Sequence, residues 1–476
     1  MAFGGQGIAK VPTENGDFVV FVPNALPQQD VKVRIIKKKK NYAEAKLLSV
    51  EKRSPEEVDL PYQGIAGAPF ARLPIASQIA YKKDNTLGMF ARLSAFPNVA
   101  EVYDEYIASP NVWHYRNKME YSFSTLIADP ITGEESEGFA LGFKKRGQWW
   151  SVENLDKDSG LFDADMENAL IKIRQFCEKT GLPAWNPAKS EGFFRFLVVR
   201  KSFVHNELLF NLVVTSKDYE QFDAQAFVDL LFQLIGKDKV AGVWVTQNDD
   251  RGDDAKQPAE KAALVYGKPK IVETILGLNF DISMQSFFQT NPACAELLYA
   301  KALSYVKEAL DEQVAQLKAK NPDKTPKMVA MDLFCGTGTI AQLLTQIPEV
   351  TEVVGVDIVP EAIADAKDNA IRNGISKKIS FYAADAGKFL QEYPQYKGKL
   401  NVVVLDPPRA GIAPKTLAKV IALNAKAIVY VSCNPSTQAR DTEALKEAGY
   451  DLKKFALVDQ FPHTSHIESV ALFVKA

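Results

Sequence analysis

A chain of 476 residues, 46% hydrophobic and 24% charged, has the composition of a folded protein with about two or three domains, and excludes a disordered or fibrous one. Its formal net charge of −2 carries no overall sign of a polyanionic partner, yet the stretch Val31–Lys40 (VKVRIIKKKK) holds six basic and no acidic residues. The opening MAFGGQGIAKVP has neither a charged-then-apolar leader nor a cleavage site, and no apolar run reaches bilayer length, so a cytoplasmic location without a membrane partner is expected.

Residues 1–58 read as short β runs (GGQGIAKV, DFVVFVP, DVKVRIIKKKK, YAEAKLLSVEK) broken by Gly, Pro and Asn, which predicts a small barrel. This segment carries a charge of +3 against −5 for the remainder. Periodicity is lost over Ser54–Gly67, and residues 59–268 then predict a central, mostly antiparallel β domain. It contains a helix at Ser77–Leu93, another near Met166–Thr180 and a solvated excursion at Gly252–Lys261; the helical part around 75–108 is expected to pack with the catalytic domain. Residues 269–476 form the third segment. Beyond the charged stretch Lys307–Lys327, strand and helix alternate (MVAMDLF, VVGVDI, ISFYAAD, NVVVLD, AIVYVS), as in a parallel doubly wound sheet. The fold class expected is α/β multidomain: an OB-like barrel, a β-rich centre and a Rossmann-like catalytic domain.

Within that last segment, MDLFCGTGTI (Met331–Ile340) ends an apolar strand in a glycine-rich turn that opens a helix, a place where backbone amides face a ligand. It lacks both the GxGxxG spacing and a following Lys-Ser/Thr. Asp332, Asp357 and Asp385 stand at three successive strand ends. Acids in that order suit S-adenosylmethionine, whose sulfonium and ammonium are cationic and whose ribose offers hydroxyl donors.

LDPPRAG (Leu405–Gly411) closes a fourth strand, its two prolines fixing the chain so that Asp406 faces the crevice. YVSCNPSTQARD (Tyr430–Asp441) places Cys433 where a fifth strand emerges. A lone cysteine is ordinarily an inert core residue, but carbon 5 of uracil attacks a methyl sulfonium only after a thiolate has added to carbon 6. Cys433 suits that task, and Glu468, before the last strand, suits removal of the carbon 5 proton. Cys335 reads as structural; Cys177 and Cys294, in helical surroundings, read as packing residues. The four cysteines have no Cys-x-x-Cys spacing, and the His463/His466 pair lacks companion ligands, so no metal is expected.

These motifs, with WHYRNK (Trp113–Lys118), SFFQTNP (Ser286–Pro292) and FPHTSHIES (Phe461–Ser469), closely resemble the RNA uracil-C5 methyltransferases, which carry an N-terminal TRAM barrel. The resemblance spans nearly the whole chain. It implies Cys433 as nucleophile, Glu468 as general base, and a cofactor site of Gln289, Phe334, Thr339, Asp357, Asp385 and Asp406. It also implies a target uridine flipped out of structured RNA, with 23S ribosomal RNA expected ahead of transfer RNA, and a monomer. Many relatives hold an iron–sulfur cluster through a Cys-x5-Cys-x2-Cys run; here Leu60, Ala66 and Pro69 occupy those positions, so no cluster is expected. The rival readings are an RNA cytosine-C5 methyltransferase, which also needs a thiol adding to carbon 6, an RNA chaperone with incidental methylation, and a small-molecule methyltransferase, for which a barrel and a large β domain have no evident task.

Overall fold

A computed structural model of the chain describes residues 1–476 apart from 15, 131–133, 146, 253, 256–258 and 324–325. Residues 253 and 256–258 of the excursion expected at Gly252–Lys261 thus lie outside the described residues. The chain divides into two compact units, one of Met1–Asp59, Ala68–Pro110 and Ala293–Ala476, the other of Leu60–Gly67 and Asn111–Pro292.

In the first unit the N-terminal strands Gly7–Thr13, Gly16–Val22, Asp30–Lys38 and Tyr42–Lys52 form a four-stranded sheet, the last strand lying between the second and third. Their core is small: Val20, Val22, Ala25, Ala43 and Ala45, with Phe18, Val31, Val33 and Leu47 packed around them. The basic side of Asp30–Lys38 stays in water, as its largely exposed burial pattern shows.

The rest of this unit is built on an eight-stranded sheet. We number seven of its strands in chain order: β1 Met328–Leu333, β2 Val350–Asp357, β3 Ile379–Ala383, β4 Val402–Leu405, β5 Ala427–Ser432, β6 Tyr450–Val458 and β7 Glu468–Lys475. Their spatial order is 3-2-1-4-5-7-6, and the strand Tyr103–Ile107 adds parallel to β6 at the edge. β1, β4 and β5 are buried almost throughout, because helices cover both faces and alternation gives way to continuous apolar runs. β7 alone runs antiparallel, inserted between β5 and β6. The order reverses between β1 and β4, which opens the crevice at the carboxyl ends where such sheets take ligands.

The helix Ile75–Leu93 lies on this sheet, with Phe90 against Phe455 at a ring-centroid distance of 4.5 Å. Its polar side anchors the segment that leads into β7. Buried Lys82 donates from Nζ to Asp459 Oδ1 at 2.6 Å and to the Phe461 carbonyl at 2.9 Å, while Tyr106 donates its hydroxyl to Asp459 Oδ2 at 2.9 Å. Gln78 accepts from the His463 amide at 2.8 Å. Burial pushes the Lys82 ammonium downward, and Asp459 opposes the shift.

The second unit is a seven-stranded sheet covered by the helices Ala164–Lys179 and Ala224–Ile235. It is mostly antiparallel, as expected, with parallel pairing between Glu207–Val214 and Val240–Gln247 and a single parallel bridge, Ile127 to Val152, between Lys118–Ala128 and Gln148–Asn154. One long helix, Pro292–Lys320, occupies most of the charged stretch that sequence periodicity leaves unassigned.

A buried ion pair that loses one partner leaves the other charge stranded, at about 3–5 kcal/mol. Lys82→Ala is therefore expected to lower stability by about that amount, seen as a reduced urea midpoint. Lys82→Met combined with Asp459→Leu should recover part of the loss.

Candidate active site

At the β1–β3 side of the crevice, β1 turns sharply after Leu333. Phe334 adopts φ +70°, Gly336 +52° and Gly338 +78°, the left-handed region that favours glycine. A Cβ on Gly338 would fall 2.7 Å from the Phe381 ring and 3.0 Å from Ala366, so this position admits glycine alone. The Phe334 and Cys335 amides both donate to the Val356 carbonyl, at 2.9 and 3.0 Å, tying the loop to β2. Asp357 accepts from the Gly336 amide and from the Val359 amide, each at 2.9 Å. Asp385 caps the helix Ala386–Glu392 by accepting from the Lys388 amide at 3.0 Å. Thr339 is buried at the first turn of the following helix.

Asp332 is buried beneath this loop, and neither carboxylate oxygen has a hydrogen-bond partner of ordinary geometry. Burial raises it well above the usual carboxylate range, with Asp406 and Asp357 adding repulsion. A ligand bearing an ammonium and hydroxyls would satisfy such oxygens.

On the other side, Leu333 pairs with Leu405 and Leu405 with Tyr430, so Asp406 begins the loop beside the glycine turn. β5 and β7 pair Ser432 with Ser469. Because β7 runs the opposite way, its first residue, Glu468, lies at the same sheet edge as Cys433, the residue just after β5. Cys433 is half-buried, and Cys177, Cys294 and Cys335 are buried. Burial pushes the Cys433 thiol up to about 11, the Glu468 and Asp406 carboxylates adding to the shift and Arg409 opposing it. Glu468, 3% exposed, is pushed up to about 8 by burial and by Asp406, again against Arg409. Burial holds Asp406 at about 7. A half-buried thiol and two carboxyls raised towards neutrality thus share one crevice.

Of the residues expected from sequence, Phe334, Thr339, Asp357, Asp385, Asp406, Cys433 and Glu468 line one edge of the sheet. Gln289 belongs to the second unit, where it is buried and its carbonyl accepts from Asn117 Nδ2 at 3.0 Å. Sequence reasoning assigned no role to His466, which accepts at Nδ1 from Arg409 Nη2 at 2.9 Å. It also gave none to Asn434, which donates from Nδ2 to the Arg409 carbonyl at 3.2 Å. The positions beside Glu468 and Cys433 were the available signal. Among the described residues no group of three or more His, Cys, Asp or Glu is arranged to hold a metal.

The Glu468 shift has a consequence for stability. Because its native pKa of about 8 exceeds the ordinary 4.5, the native state binds more protons than the unfolded chain between those values. Wild-type stability then falls as pH rises through that window. Glu468→Gln removes the loss, so at pH 8.5 the variant should be about 1–3 kcal/mol more stable than wild type, with the gap closing towards pH 4.5 in thermal melts.

Comparison with known proteins bears on these features. Residues 319–476 match the family model for tRNA (uracil-5-)-methyltransferase, and residues 2–48 match the TRAM domain. A protein of Caldanaerobacter subterraneus named as an uncharacterised RNA methyltransferase is 34% identical, across 94% of this chain and 92% of its own. One of the same description from Clostridium acetobutylicum is also 34% identical, across 96% and 93%. The crystal structure of Pyrococcus abyssi tRNA (uracil-54, C5)-methyltransferase with S-adenosyl-L-homocysteine has the same fold, with a TM-score of 0.69 at 23% identity over 99% of this chain and all of that one. The chain belongs to the RNA (uracil-5-)-methyltransferase family, with a TRAM domain at its N-terminus.

Proposed function

We propose that the protein transfers a methyl group from S-adenosylmethionine to carbon 5 of a uridine in structured RNA, with Cys433 as nucleophile and Glu468 as general base. The observation that carries this reading is the Ser432–Ser469 register of β5 and β7, which sets a thiol beside a buried carboxyl at the sheet's carboxyl edge. The unpartnered oxygens of Asp332, with Phe334, Thr339, Asp357, Asp385 and Asp406, suit the donor's ammonium and ribose; Gln289 is proposed as a further ligand of the donor.

When bound, S-adenosylmethionine supplies an electrophilic methyl on a sulfonium. Cys433, half-buried, releases its proton to solvent, and Sγ adds to carbon 6 of the uracil while the C5–C6 π pair shifts towards the C4 carbonyl. Carbon 5 then takes the methyl, and the electron pair of the broken bond stays on the donor's sulfur. Glu468 removes the hydrogen left on carbon 5 as a proton; the double bond re-forms, and the Cys433–C6 bond breaks with its pair returning to sulfur. A carboxyl that titrates near 8 is a stronger base than an ordinary one, which suits this step. Burial of Glu468 thus supports turnover while costing stability.

The exposed cations of Asp30–Lys38 and the Phe21–Tyr42 pair, 5.8 Å apart, suit residues 1–58 to RNA backbone and bases. The enzyme is proposed to act in the cytoplasm as a monomer, with 23S ribosomal RNA as the first substrate to try.

With S-adenosylmethionine and unmodified ribosomal or transfer RNA, nucleoside mass spectrometry should detect new 5-methyluridine in one RNA class, abolished by Cys433→Ala. 5-Methylcytidine instead would transfer the case to the cytosine enzymes. Glu468→Gln should cut turnover by about 10²–10⁴-fold while accumulating a protein–RNA adduct that survives denaturing electrophoresis.

A further inference from the structure

Arg409 lies in the loop after β4, exposed at the crevice. Two contacts hold it there. His466 Nδ1 accepts from its Nη2 at 2.9 Å, and its carbonyl accepts from Asn434 Nδ2 at 3.2 Å. Asn434 follows Cys433 directly, and His466 precedes Glu468 by two positions, so these bonds tie the arginine to both segments that bear the reacting groups. A guanidinium only donates; Nδ1 must therefore be the accepting nitrogen of His466. Among the described residues Arg409 makes no ion pair, although Asp406 stands three residues away in the same loop.

The charged groups facing the Cys433 thiol are Glu468 at the start of β7, and Asp406 and Arg409 after β4, with His466 reaching it through Arg409. Two of these are acids, and ionising the thiol beside them is opposed. Arg409 is the cation of the set.

We propose that Arg409, aimed by His466 and Asn434, is the positioning residue that supplies the counter-charge for the Cys433 thiolate as it forms and attacks. With no ion pair of its own, its charge acts on the sulfur as well as on Glu468. Anchoring to both neighbouring segments keeps it over the crevice rather than in bulk water. The inference rests on the assignment of Cys433 as nucleophile.

The test is the rate of Cys433 alkylation by iodoacetamide as a function of pH, measured on the full-length protein by peptide mass spectrometry. Cys177, Cys294 and Cys335 are buried, so the reaction reports on one thiol. Arg409→Gln should slow alkylation at pH 8 by about 3–10-fold and move the profile to higher pH. Arg409→Lys should restore most of the rate, and His466→Ala should fall between. Superimposable profiles for wild type and Arg409→Gln would overturn the proposal. So would a lysine variant as slow as the glutamine one, since geometry rather than charge would then be at work. RNA methylation that persists in Cys433→Ala would instead remove the nucleophile assignment, an outcome independent of the alkylation profiles.

Discussion

The chemistry of this molecule depends on one strand that runs the wrong way. In a purely parallel sheet every strand begins at the edge opposite the ligands, so a residue that starts a strand cannot reach a residue that ends its neighbour. β7 enters antiparallel between β5 and β6, and its first residue therefore lies beside the residue that follows β5. Pairing of Ser432 with Ser469 is enough to bring Cys433 and Glu468 together. A slip of one residue would turn Glu468 to the other face of the sheet.

That register needs support, because it places acids where burial opposes their charge. Asp332, Asp406 and Glu468 are all raised by burial. The segment that delivers Glu468 is held by the helix Ile75–Leu93: Lys82 grips Asp459 and the Phe461 carbonyl, and Gln78 grips His463. The N-terminal segment adds a steric restraint, since a Cβ on Gly5 would fall 2.5 Å from Ser465 Cβ. Stability invested in the helix Ile75–Leu93 thus maintains a destabilising arrangement at the site, the usual trade between function and stability.

Much of this was legible in the sequence. Apolar runs broken by Gly-Thr-Gly, Pro-Pro and Asn-Pro marked where β1, β4 and β5 end, and residues at such points face the crevice by construction. Asp406 and Cys433 were read that way, and Asp357 from its place at the close of the next apolar run, VVGVD. Contacts between residues far apart in the chain were not legible, since local periodicity holds no information on them. Lys82 reads as one polar position on an amphipathic helix; only the fold brings Asp459 to it. The strand Tyr103–Ile107 is too short and polar to be read as the eighth of the sheet. Pro292–Lys320 has its buried apolar face only over Cys294–Leu310, and its exposed charged end, which lies in the Lys307–Lys327 stretch, hides the helix from a reading of periodicity there. The HTSH stretch, weighed as a metal pair, divides its histidines instead: His463 turns to Gln78 and His466 to Arg409.

The central claim, that the β5–β7 register makes Cys433 the nucleophile towards carbon 6, can be tested with RNA in which 5-fluorouridine replaces uridine. Fluorine cannot leave carbon 5 as a cation, so the adduct would persist after methyl transfer. Mass spectrometry of the digested complex should find the methylated fluorouridine bound to Cys433, only when S-adenosylmethionine is present. An adduct on another residue, or methylation of ordinary RNA with no adduct from the fluorinated one, would contradict the account.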